Sequence, residues 1–346
     1  MKSRKINGAG YKPVEIGGVC VKPGNRAVIN LRIPSLYTHP SLTMPVQVVH
    51  GKTDGPRLFV SAAIHGDEIN GVEIIRRLLK LELISKIKGT LIAVPVVNVY
   101  GFINQSRYLP DRRDLNRSFP GSKSGSLAAR LAHIFLNEIA SNATHGIDLH
   151  TAAFHRDNLP HVRAFLDDEE TRRIAHAFST PVILNTSLTE GSLRKSLKGM
   201  NIPVIVYEAG EALRFNEFAI CAGVNGIVSV MRELGMLPES KSCQMTKPLI
   251  AKSSVWVRAE HSGIFRNSIP LGAVMKKGQV LGVITDQFGV YQETVRSSIS
   301  GIVIGRTNMP LVHEGEALFH IARSGKTSSF VNTLEVFQQE IASGER

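Results

Sequence analysis

The sequence predicts an α/β fold in which a mixed, mostly parallel sheet is flanked by helices, with a small β-barrel or sandwich module at the C-terminal end. Three observations predict it. Between Arg57 and about residue 235, short apolar runs alternate with segments of helical period, as strands alternate with crossover helices. From about residue 250 the helical period stops, and short strands separated by glycine turns take over. Before residue 50 the chain is β-rich, punctuated by Gly17-Gly18, Pro23-Gly24, Pro34, Pro40 and Pro45. A chain of 346 residues is long for one domain. The expected division is an α/β domain over 1–245, a β module over 246–325 and a tail or helix over 326–346.

Taken in order, "RLFVSAAI" (57–64) reads as a buried strand. "INGVEIIRRLLKLEL" (69–83) carries apolar residues at 72, 75, 78, 79 and 83 in helical register. "TLIAVPVVN" is the next strand, and "SLAARLAHIFLNEIA" is an amphipathic helix with Ser126 as its cap. "GIDLH" and "HVRAFL" are strands, followed by a helix around 168–179, the strand "PVILN" and a short helix around 191–198. "IPVIVYE" and a long helix over about 216–235 complete the series. The stretch from Tyr100 to Gly125 shows no period, is rich in Arg and Asn, and offers Tyr108, Leu115 and Phe119 as anchors. A loop that long inside a compact domain points to function.

The β region holds a faint internal repeat. "HSGIF…VMKKGQVLGVI" (261–284) parallels "ISGIVIG…LVHEGEALFHI" (299–321), which suggests two similar halves related by a quasi-two-fold. The pattern resembles the biotinyl/lipoyl-type barrel-sandwich fold. Carriers of that fold present a modifiable lysine on the hairpin between the halves, and "TDQFGVYQETVRSS" here contains none. A structural or lid-like module is the expectation.

Composition narrows the class. Hydrophobic residues make up 43% and charged residues 20%, as in a soluble globular protein. No apolar run approaches the roughly 20 residues a membrane span needs, and the basic start has no apolar secretory core. Cys20, Cys221 and Cys243 are too widely separated for a disulfide framework, so a cytoplasmic location and no membrane partner are expected. The 41 basic and 29 acidic residues leave a net charge of +12. The basic residues are scattered and aromatic content is 6%, which favours attraction of small anions over a nucleic-acid surface.

Three strand ends carry chemistry. His65 and Glu68 form an H-x-x-E where "RLFVSAAI" gives way to a helix, so an imidazole and a carboxylate can face one point. His150 ends "GIDLH", and Asp148 projects to the same face two residues earlier. A carboxylate there can orient a metal-bound imidazole through its second nitrogen. Glu208 ends "IPVIVYE", where a general base belongs, with Glu211 as its rival; the structural alternative is a buried partner for an arginine. Parallel α/β sheets place their sites at the carboxyl ends of strands. Zinc takes N and O ligands and, in catalytic sites, three protein ligands plus water. The other histidines, including His39, His50, His133, His176, His261, His313 and His320, carry no such signal.

In combination, H-x-x-E at 65–68, "DLNR" at 114–117 followed by "SFPG", "DLHT" at 148–151 and "YEAG" at 207–210 resemble the succinylglutamate desuccinylase/aspartoacylase family, a branch of the zinc carboxypeptidase-like fold. The motifs cover about residues 55–235 in the family's order. The resemblance implies one Zn2+ per chain bound by His65, Glu68 and His150, with Glu208 as general base. It implies that Asn116 and Arg117 bind the substrate carboxylate. It also implies an arginine that polarises the scissile carbonyl, a role for which Arg107 and Arg112 compete, with Arg107 preferred.

The expected activity is hydrolysis of the amide bond of a small anionic N-acyl amino acid or related N-acyl amine. The alternatives are a metallocarboxypeptidase acting on peptides and a non-catalytic binding protein with a basic surface. Arg163, Arg194 and Lys195 are candidates to read an anionic acyl tail. The acyl group, the oligomeric state (a homo-oligomer remains open) and the role of Asp67 are not assigned by the residues.

Overall fold

A computed structural model of the chain describes residues 11–38, 40–239, 247–324 and 330–343. The first ten residues, His39, Cys243 and the expected boundary at 245/246 lie outside the described residues. β1 (Val14–Ile16) and β2 (Val19–Val21) form a small hairpin. β3 (Arg26–Arg32) and β4 (Thr43–His50) pair antiparallel and lead into the main sheet. Its centre is four parallel strands: β5 (Arg57–Ala62), β6 (Thr90–Val94), β7 (His145–Ala152) and β10 (Val204–Glu211). They stand side by side in the order β6-β5-β7-β10. Apart from its first residue, β5 is buried throughout, as expected of a strand covered on both faces.

β8 (Arg156–Ala164) pairs antiparallel with β10, while its last four residues pair parallel with β9 (Val182–Asn185). Helices cover both faces. α1 (Asn70–Leu78), α4 (Glu169–Ala177), α6 (Glu217–Glu233) and α7 (Phe330–Ser343) lie on one side, where Ile74, Ile174, Ile227 and Phe337 share a core with Leu58, Val60, Leu149 and Ile205. The other side holds α3 (Leu127–Ile134) and α5 (Leu193–Gly199), with Leu131, Phe135 and Leu197 packed beside Phe59 and Ile92. Ser126 caps α3 as its sequence predicts, accepting from Ala129 N–H. Among the described residues, no helix is long and apolar enough to cross a membrane.

Two expectations change. The helical pattern over 69–83 outlasts the helix, which ends at Leu78 and is followed by a separate turn over Glu82–Lys86. Leu79, Leu81 and Leu83 still pack on the same core, so the apolar period persists after the backbone has left the helix. The aperiodic stretch 100–125 also contains order: α2 (Val99–Ile103), capped by Asn98, and a 3-10 turn over Leu115–Arg117 capped by Asp114. Leu115 and Phe119 are buried as anchors, whereas Tyr108 is exposed.

Residues 249–323 form strands and no helix: β11 (Leu249–Ala251), β12 (Ser254–Arg258), β13 (Gly263–Asn267), β14 (Val274–Met275), β15 (Val280–Thr285), β16 (Gln292–Arg296), β17 (Gly301–Thr307), β18 (Leu311–Val312) and β19 (Ala317–Arg323). The repeat halves exchange short strands: β14 of the first pairs with β17 of the second, and β18 of the second pairs with β13 of the first. β16-β15-β13-β18 form a separate sheet. β17 instead pairs with the start of β8, with Gly305 opposite Asn158, so β17, β19 and β12 extend the main sheet. That junction brings C-terminal residues to the carboxyl ends of β7 and β10.

Candidate active site

The carboxyl end of β5 runs into a tight passage at His65-Gly66-Asp67. A Cβ on Gly66 would lie 1.9 Å from the carbonyl carbon of Gly101, so only glycine lets the two backbones approach this closely. The turn aims His65 at Glu68, whose Oε1 is 2.7 Å from His65 Nδ1. The other oxygen, Oε2, lies 2.8 Å from His150 Nδ1. Ligand atoms of His65, Glu68 and His150 all fall within 4.8 Å of one another, and all three residues are buried. Two imidazoles and a carboxylate form a donor set suited to a borderline metal ion.

Neighbouring groups hold the donors in place. Asp148 Oδ2 is 2.8 Å from His150 Nε2, which leaves Nδ1 facing Glu68. Ser61, directly across from Asp148 on β5, donates to Asp148 Oδ1 at 2.7 Å. Burial disfavours the charged forms of His65 and His150, but the carboxylates beside them outweigh it and raise both imidazoles above their ordinary range. Burial likewise opposes ionisation of Glu68, and the two imidazoles reverse this and hold it well below the usual carboxylate range. Asp67 is buried and its Oδ1 has no hydrogen-bond partner among the described residues; its backbone carbonyl accepts from Leu213 N–H.

A cavity of about 350 Å3 opens onto this cluster. Arg107 lines it, with Nη1 3.3 Å from Glu68 Oε1 and Nη2 donating to Asp114 Oδ2 at 2.9 Å. Arg112 is exposed and does not line it. Asn116 and Arg117 both line the cavity. Asn116 Oδ1 is committed to Leu193 N–H at the start of α5, 3.0 Å away, which leaves its amide N–H groups for the cavity.

Glu208 stands beside His150 in the β10–β7 register. Its oxygens accept from Arg163 Nη1 at 3.2 Å and from Asn158 Nδ2 at 3.1 Å. Glu208 thus lines the cavity and pairs with an arginine, the structural alternative the sequence offered for it. Glu211 accepts from His155 N–H and Asn308 Nδ2 and lies outside the cavity lining.

Arg163 and Arg194 line the cavity, whereas Lys195 is exposed and pairs with Glu190. Burial, with the charge of Arg163 nearby, brings the Arg194 guanidinium down to about 10.

Part of the site was not visible in the sequence. Asp114 lies 3.2 Å from His65 Nε2 and links that imidazole to Arg107. Its position within "DLNR" was visible, but its reach to His65 was not. Trp256 and His320, from β12 and β19, face the cavity. Their rings stack at 4.3 Å with planes 7° apart, and Arg156 lies 5.4 Å from the Trp256 ring. His320, which had carried no functional signal, is therefore part of the site. Only strand pairing across the junction with β8 brings it there.

Comparison with known proteins adds the family and the fold. The profile of the succinylglutamate desuccinylase/aspartoacylase catalytic domain matches residues 54–234, a span that contains His65, Glu68, Asn116, Arg117, His150 and Glu208. N-alpha-acetyl-L-2,4-diaminobutyric acid deacetylase of Halomonas elongata is 24% identical over 298 residues, covering 82% of this chain and 86% of the relative. The product-bound structure of the ectoine utilization protein EutE (DoeB) from Ruegeria pomeroyi superposes with a TM-score of 0.79 at 23% identity, covering 86% of this chain and 95% of the other. A succinylglutamate desuccinylase/aspartoacylase from Rhodobacter sphaeroides gives 0.78 at 24% identity, with 86% and 95% covered. The α/β fold is common to both structures. With the catalytic-domain profile matched over more than half of the chain, this protein belongs to the succinylglutamate desuccinylase/aspartoacylase family.

Proposed function

We propose that this protein is a zinc-dependent amidohydrolase that releases the acyl group from a small, anionic N-acyl amino acid or related N-acyl amine. The observation that carries the reading is the meeting of His65, Glu68 and His150 at one point, with Glu208 next to His150 on the adjacent strand. The donor set fits zinc, and three protein ligands leave a coordination position for water. Zinc held there supplies the Lewis acidity that makes water nucleophilic near neutral pH.

The protein's own residues do the rest. Glu208 accepts a proton from the attacking water and passes it to the leaving amine. Arg107 presents a fixed guanidinium to the amide carbonyl, so charge developing on that oxygen meets a pre-oriented donor. Arg117 and the free amide N–H groups of Asn116 hold the substrate carboxylate. A cavity of about 350 Å3 bounded by Trp256 and His320 suits a small molecule better than a peptide chain.

The C-terminal strands make up a barrel-sandwich-like module in this reading, and the protein works in the cytoplasm. The deciding experiment combines metal analysis of the purified protein with an amine-release screen over acetyl-, succinyl- and aspartyl-type N-acyl amino acids. Stoichiometric zinc with zinc-dependent amine release is expected. Absence of both ends the reading.

A further inference from the structure

The carboxylate of Glu208 is held on both sides by one strand. Arg163 reaches one oxygen and Asn158 the other. Residues five apart on a regular strand face opposite sides of a sheet, so this arrangement needs a break in the pleat. The β10–β8 register supplies it: Glu208 faces His161, but Gly210 faces Asn158, one residue out of step. Gly210 sits at φ +75°, where a Cβ would lie 2.4 Å from Asn70 Nδ2. A bulge of this kind re-aims a side chain, and here it turns Asn158 onto the cavity wall with Arg163.

On the opposite edge of β8, Asn158 is the register partner of Gly305 of β17. A Cβ on Gly305 would lie 2.8 Å from Asn158 Oδ1 and 3.2 Å from His320 Cβ. The Asn158 amide thus occupies space that the C-terminal strand leaves open only because residue 305 has no side chain. From this juxtaposition the geometry points to Asn158 as a positioning residue for Glu208, seated by Gly305 of the C-terminal strands. The inference rests on the assignment of Glu208 as the base. It gives the β region a part in the chemistry beyond covering the cavity: it fixes the direction in which the proton acceptor points.

The test uses the full-length, zinc-loaded protein. Asn158→Ala is expected to lower kcat by roughly 10- to 100-fold, the scale on which misplacing a catalytic group is felt, while KM stays within about twofold and zinc remains stoichiometric. Gly305→Ala should reproduce the loss, because its methyl displaces the amide. The double variant should be no worse than Asn158→Ala alone, since both act through one contact. Unchanged kcat in Asn158→Ala, or a raised KM at unchanged kcat, overturns the assignment.

Crystal structures of the wild type and Asn158→Ala decide the matter apart from turnover. The Glu208 carboxylate is expected to rotate towards Arg163 in the variant, and an identical Glu208 rotamer in both refutes the positioning role. If the wild type hydrolyses no N-acyl amino acid, the functional reading fails, and the two structures still judge the contact. Should Gly305→Ala not fold, Asn158→Ala carries the test alone.

Discussion

Ser61 and Asp148 are opposite one another on β5 and β7, joined by a 2.7 Å hydrogen bond from the serine hydroxyl to Asp148 Oδ1. Because Asp148 also holds His150 through Nε2, a hydroxyl on one strand sets the ring orientation of a candidate ligand on its neighbour. Ser61→Ala leaves a buried carboxylate oxygen without its donor, a loss of about 1–3 kcal/mol in stability. Zinc affinity should fall roughly 10- to 100-fold, as when other supporting contacts of ligands are removed. Competition with a chromophoric chelator measures it, and an unchanged affinity would show that Asp148 orients His150 unaided.

Glu208→Gln keeps the shape and the contact with Asn158 but removes the proton acceptor. Turnover should drop by about 100- to 10,000-fold with zinc content unchanged. Near-normal turnover in a zinc-loaded Glu208→Gln protein would remove Glu208 from the base role.

Asn116 separates a binding role from a structural one. Asn116→Asp retains an oxygen for Leu193 N–H but replaces the cavity-facing amide with a second oxygen, placing like charge against the substrate carboxylate. KM should rise at least about tenfold with little change in thermal stability, the loss of one charge-assisted hydrogen bond setting the scale. Asn116→Ala removes the acceptor as well, so Tm should also fall, by the equivalent of about 0.5–2 kcal/mol for a lost helix-start contact. If Asn116→Asp binds substrate normally, the carboxylate lies elsewhere.

His320 supplies a pH test. Burial, followed by the nearby His161 and Arg163, brings its imidazole down to about 3. A folded-state value below the unfolded one means that stability is complete above about pH 6.5. It is lost as pH falls towards 3, because the unfolded chain binds the proton first. The slope contributed is up to about 1.4 kcal/mol per pH unit. His320→Phe keeps a ring against Trp256 and removes the titration. The fall in Tm between pH 6.5 and 4.5 should therefore be shallower in the variant, and identical slopes would show that His320 does not titrate in this way.

Much of this protein was legible in the sequence, and where legibility stopped has a physical reason. Alternating apolar periods are local properties of the chain, so β5, β7, β10 and the helices α1, α3, α4 and α5 could be read directly, whereas α2 could not. His65, Glu68, His150 and Glu208 were legible because parallel strands bring their carboxyl ends together whatever the loops do. The choice of Arg107 over Arg112 at the cavity wall, the commitment of Asn116 to α5 and the reach of Asp114 to His65 depend on how an aperiodic loop folds back. No period encodes that path.

The part played by the C-terminal strands was least visible. Trp256 and His320 reach the cavity, and Gly305 reaches Asn158 on its wall, only because β17 pairs with the start of β8, a contact between residues some 150 positions apart in the numbering. The chain by itself determined which strand ends carry the candidate ligands and which chemistry they suit. Tertiary structure decided what surrounds them, because strand pairing over such distances is set by shape and register between surfaces that local sequence does not describe.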